Sequence, residues 1–118
     1  MKVAAAKPAT LIAAFWVSSM TNVDTGDQIE ELAEQLLGLA RPGLTDRAME
    51  FINGDRAADD FPMMIDDIVQ FTGLNAYPLT AEALAIIEQA VALLGPDDDN
   101  SQRIAGWLSK YHHHTSAA

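Results

Sequence analysis

Thr80-Ala81-Glu82-Ala83-Leu84-Ala85-Ile86-Ile87-Glu88-Gln89-Ala90-Val91-Ala92-Leu93-Leu94-Gly95-Pro96 decides the fold class. The Thr80 hydroxyl can accept a hydrogen bond from a backbone N–H one turn further on, which suits the residue just before a helix. Leu84, Ile87, Val91 and Leu94 then recur in a heptad-like stripe. Gly95-Pro96 cannot carry the helix further, because proline lacks the N–H and glycine favours a turn. The stretch predicts a helix over 81–94.

Working outward, the neighbouring segments read the same way, and none makes a convincing strand. Asp97-Asp98-Asp99-Asn100-Ser101 sets anionic groups at the positive end of a helix dipole. It opens a last helix with Ile104, Trp107, Leu108 and Tyr111 turned inward. Thr72 to Pro78 reads as a loop. Before it, Ala58, Phe61, Ile65 and Ile68 keep helical spacing across Pro62. A proline inside a helix costs about 3 kcal/mol, so a kink, or a break into 56–60 and 61–72, is expected. Thr45 caps a short helix with Ala48, Met49 and Ile52 inward and Asn53-Gly54 as its stop. Thr25-Gly26-Asp27-Gln28 has the form of a capping box. The helix it opens buries Ile29, Leu32, Ala33, Leu36 and Leu37, and Arg41-Pro42-Gly43 ends it. Pro8 begins a helix over 8–20, with Leu11, Ile12, Phe15, Trp16 and Met20 on one face. The expected fold is all-α, a compact bundle of five to six short helices in a single domain over 1–118, with about 112–118 a flexible tail.

The 118 residues include no cysteine, which excludes disulfides, thiolate metal sites and a cysteine nucleophile. Lys2 and Lys7 before an apolar run look faintly like a signal peptide, but Pro8 opens the run and no small-x-small cleavage site follows. The reading is a cytoplasmic protein, and no apolar stretch approaches the 18 residues a membrane span needs.

Charge is more informative. All seventeen acids lie in 21–100, facing Arg41, Arg47 and Arg56, a net of −14 there. Between Arg56 and Arg103 there are nine carboxylates and no cation. Such a surface repels phosphate backbones and so disfavours direct nucleic-acid binding. It attracts basic proteins.

Sites of chemistry are scarce. His112, His113 and His114 diverge by about 100° each on a helix and cannot readily converge on one ion, so they read as a solvated terminus. An EF-hand loop from Asp97 would need Gly and Glu where Gln102 and Leu108 stand. The Asp-Ser-Leu of an acyl carrier protein is missing, as are phosphate-binding loops and a nucleophile elbow. No metal, cofactor or catalytic group is expected.

What remains is the segment around 56–72. Asp59, Met63, Asp66, Asp67 and Gln70 occupy roughly one face opposite the apolar stripe, Asp60 lies at its edge, and Asp55 and Tyr77 flank it. Like charges a turn apart cost a few tenths of a kcal/mol per pair, which folding alone does not demand. One reading is a solvated face. The other is a patch that meets the arginines or lysines of a partner, with Met63 as an adaptable apolar contact.

The order Met49-Glu50-Phe51-Ile52-Asn53-Gly54-Asp55, then Ile65-Asp66-Asp67-Ile68-Val69-Gln70-Phe71, then Tyr77-Pro78-Leu79-Thr80 opening an apolar helix that ends Leu93-Leu94-Gly95 is also distinctive. It resembles small helical immunity proteins of bacterial polymorphic toxin systems, including the Maf-type and contact-dependent growth-inhibition immunity families. The resemblance covers about 49–95. It implies a protein that binds and neutralises a cognate toxin domain, often a basic nuclease, through acidic helices; a monomer or weak dimer is expected. The competing expectation is a structural or adaptor subunit, perhaps homodimeric, using the Leu84, Ile87, Val91, Leu94 stripe.

Overall fold

The computed structural model describes residues 24–112; the expected helix over 8–20 and the tail from 113 onward lie outside them. Five α-helices and no strand occur among the described residues. The first, α1 (Thr25–Ala40), begins one residue earlier than a Thr25 cap would have it. Asp24 is the cap, its carboxylate accepting from Gly26 N at 3.2 Å. Ile29, Leu32, Ala33, Leu36, Leu37 and Ala40 form its buried face. A 3₁₀ turn, Arg41–Gly43, closes it at Pro42.

Thr45 caps α2 (Asp46–Ala57), its hydroxyl accepting from Ala48 N at 3.1 Å. Asn53-Gly54 does not stop this helix, which runs one turn further. A better terminator follows. Asp60 N donates to Asp55 O at 2.9 Å and Asp59 N to Arg56 O at 3.0 Å, the paired bonds of a Schellman turn. The left-handed residue that turn requires is Asp59, φ +58°. Aspartate tolerates that conformation better than most side chains. Gly54 stays within the helix, where glycine costs about 1 kcal/mol.

The expected break before Pro62 is present. Asp60 caps α3 (Phe61–Leu74), accepting from Met63 N at 3.2 Å, and Pro62 sits in the first turn, where no N–H is needed. The helix runs three residues, Thr72 to Leu74, into the stretch expected to be loop. It ends in a second Schellman turn, Tyr77 N to Thr72 O at 2.9 Å and Ala76 N to Gly73 O at 3.0 Å, with Ala76 at φ +54°. Two non-glycine residues thus hold positions that usually call for glycine.

Thr80 caps α4 (Ala81–Leu94), accepting from Ala83 N at 3.1 Å, and Gly95 at φ +92° follows it, as the sequence predicts. Asp98 caps α5 (Asp99–Trp107) through Asn100 N and Ser101 N. The chain then widens into a π-helical turn, Leu108–His112.

The hub is α3. It packs against α1, α2 and α5, and α4 covers α1 and α5. Phe61, Met64, Ile65, Asp66, Ile68, Val69, Thr72 and Gly73 are all buried on it. A helix buried on most of its circumference has no long solvent face, so the acidic face expected on this segment does not exist as one surface. The stripe on α4 is likewise absorbed: Ile87 is buried, and Leu84, Val91 and Leu94 pack against the core. His112 is also corrected. It is 5% exposed, with Nε2 3.3 Å from Val69 O, so the flexible tail does not begin there. No described helix is long and apolar enough to cross a membrane.

Candidate functional site

Asp66 lies at the centre of the residues singled out by charge, and it is fully buried. A bare carboxylate cannot persist there without donors. Three come from one face of α5, at the i, i+3, i+7 spacing. Arg103 Nε donates to Oδ2 at 2.6 Å, Asn100 Nδ2 to the same oxygen at 3.1 Å, and Trp107 Nε1 to Oδ1 at 2.7 Å. The Arg103 side chain remains about half exposed, its guanidinium 5.6 Å from the Trp107 ring centroid. Hydrogen bonding to Asp66, aided by the carboxylate's charge, raises the Arg103 pKa. Trp107 in turn stacks on Tyr111 at 5.8 Å. Asp66 is therefore a structural anchor for α5, and the expectation that it meets a partner is overturned.

Asp67, one position on, points 100° away and is half-buried. Burial, a hydrogen bond to Asp55 and the charges of Asp55 and Asp66 push its pKa up to about 8, against an opposing pull from Arg103. A carboxyl shifted in that direction is a poor contact for a cation. Asp55 is half-buried too, and its Oδ2 is a buried oxygen with no hydrogen-bond donor.

The other expected residues are dispersed. Met63 and Gln70 are half-buried. Tyr77 follows the far end of α3, about 20 Å along the axis from Asp60 at 1.5 Å per residue. Its ring covers Gly43 so closely that a Cβ there would collide with it. Asn75 Nδ2 locks the same corner by donating to Gly43 O at 3.0 Å. Asp59 and Asp60 alone are fully on the surface.

Asp59 marks a site that helical spacing reveals only in part. A cleft of about 410 Å³ opens where the start of α1, the α2–α3 turn and the end of α4 meet. Ile29, Phe61, Pro62 and Leu94 supply apolar walls, and Asp27, Glu30 and Asp59 supply exposed carboxylates. Among the described residues, no lysine or arginine lines it. Asp27 and Glu30 come from α1, 32 and 29 residues before Asp59, and only the tertiary fold joins them to it.

All five described cations are committed within the chain. Arg56 clamps Glu34 with two 2.8 Å bonds, which lowers the Glu34 pKa and raises that of Arg56. Arg103 serves Asp66. Arg41 donates to Leu44 O, and Arg47 and Lys110 lie over the rings of Phe51 and Tyr111. Two of the seventeen carboxylates are thus ion-paired among the described residues. No group of three or more metal-ligating side chains converges there.

A second, smaller cleft of about 230 Å³ is lined by Thr45, Arg47, Ala48, Phe71, Leu74 and Asn75. Among the described residues, Leu74 and nearby Phe51, which stacks on Phe71, are the large apolar side chains left exposed. In comparison with protein-family models, curated proteins and solved structures, the chain matches none.

Proposed function

We propose that the chain is a non-catalytic protein-binding module whose partner is basic, and that it acts as an immunity protein against a cognate toxin domain. The observation that carries this reading is the cleft of Asp27, Glu30 and Asp59: carboxylates around apolar walls, with no cation among the described residues that line it. Long-range attraction speeds the encounter of such a surface with a basic protein, and apolar contact then slows its release. An apolar side chain flanked by lysine or arginine is the complementary anchor. The order of motifs over 49–95, which resembles immunity proteins, supports the finer assignment. The binding surface is no longer the α3 face: Asp59 and Asp60 stay in it, Asp27 and Glu30 join it, and Asp66 and Asp67 leave it.

The test is calorimetry against the basic C-terminal domain of a toxin encoded immediately upstream. Binding should weaken steeply as salt rises from about 50 to about 300 mM. Asp27→Lys, Glu30→Lys and Asp59→Lys combined should lower affinity at least tenfold, while Glu82→Lys with Glu88→Lys on α4 should change it little. An equal loss from both sets, or salt-independent binding, refutes the cleft.

A second reading, a self-associating adaptor, is favoured by one observation, the exposed pair Phe51 and Leu74, 48% and 57% accessible. Light scattering that finds a strict monomer at high concentration removes it.

A further inference from the structure

Asp55 and Asp67 meet across the interface of α2 and α3. Neither backbone can retreat easily. Asp55 belongs to the last turn of α2, and its carbonyl accepts from Ala58 N at 3.2 Å and Asp60 N at 2.9 Å. Asp67 lies mid-way along the buried hub, next to the anchored Asp66. Two ionised carboxylates hold only acceptors, so neither can satisfy the other. The Asp55 Oδ2 is buried and lacks a donor. One proton on the pair converts an acceptor into a donor and relieves the repulsion of like charges at close range.

The charged groups acting on Asp67 are Asp55 from α2, Asp66 from its own helix and Arg103 from α5. Arg103 is hydrogen-bonded to Asp66, so it neutralises Asp67 only in part. From the 108–112 turn the titratable groups against α3 are Tyr111, packed on Gly73, and His112, placed on Val69 O. Among the described residues, no charged group of α1 acts on Asp67.

We infer that Asp55 and Asp67 hold one proton between them, and that this shared proton latches the last turn of α2, with the Asp59-Asp60 corner of the cleft, onto α3. The folded chain keeps a proton that the unfolded chain releases above about pH 4, the ordinary carboxylate range. The stabilisation is therefore fully present below about pH 4. It declines as pH rises towards the folded value of about 8 and is gone above it. The latch belongs to the chain alone and holds whatever the partner is.

Carbon-detected NMR of the side-chain carboxyls on the unmodified chain tests it without a mutation. The Asp67 carboxyl carbon should titrate near pH 8, and amide exchange at 55–60 should quicken over the same range. In Asp55→Asn the amide becomes a permanent donor, and the Asp67 titration should fall by more than one pH unit. In Asp67→Asn, denaturant unfolding should lose the decline in folding constant, at most about tenfold per pH unit, that the unmodified chain shows between pH 5 and 8. An Asp67 carbon titrating near 4 overturns the inference. So does a Asp67 titration unmoved by Asp55→Asn, which would make burial alone the cause.

Discussion

Asp59 and Asp66 are seven residues apart in one acidic run, and the fold gives them opposite fates. Asp66 is enclosed between α3 and α5 with an arginine, an asparagine and an indole directed at it. Asp59 stands on a tight turn in water, beside Asp27 and Glu30, with no cation among the described residues that line the cleft. The first region uses negative charge to fix a helix in place. The second leaves it free to act at a distance. The formal charge is the same at both positions, so what separates the roles is how many donors the rest of the chain brings to each carboxylate.

The largest effect is expected in the enclosed region. Asp66→Ala strands Arg103, Asn100 and Trp107 and should cost about 3 kcal/mol in urea unfolding, below the extreme for buried pairs because Arg103 can turn to solvent. A loss under 1 kcal/mol would mean that α5 is held by apolar packing alone, and the contrast with Asp59 would vanish. Gly73→Ala probes the same flank. Its Cβ would run into the Tyr111 side chain, so overpacking of about 1–3 kcal/mol should outweigh the helix preference for alanine. Thermal denaturation should show a lower Tm.

The turns give a smaller, opposite shift. Ala76→Gly should stabilise by about 0.5–1 kcal/mol, because alanine in the left-handed region is strained and glycine is not. The smallest effect belongs to the cleft. Asp27→Asn, Glu30→Gln and Asp59→Asn should each alter stability by less than about 0.5 kcal/mol, as guanidinium titrations can establish. Carboxylates dispensable for folding yet needed for binding would sharpen the comparison as far as it can go.

Much of the architecture was readable in the chain. Thr45 and Thr80 cap where their hydroxyls predict, Pro62 sits where a helix must restart, and α4 has the expected bounds. Gly54 misled because a glycine signal is local, whereas the terminator actually used depends on a left-handed aspartate that no composition rule marks. The site was harder. Helical spacing shows which residues share a face, but it cannot show that partners surround α3 on most sides and leave its acids enclosed. One clue was available: Arg103 is the first cation after 46 residues without one, and Asn100 and Trp107 share its helical face. The meeting of Asp27 with Asp59, and of Asp55 with Asp67, arises from the packing of separate helices and has no short-range signature.

The scarcity of ion pairs has a thermodynamic consequence. With two carboxylates matched among the described residues and most of the others crowding one small body, self-repulsion opposes compaction, and mobile counterions relieve it. Added sodium chloride should therefore raise the melting temperature while loosening the grip on a cationic ligand. Brine would strip such a complex apart and leave this component better folded than before.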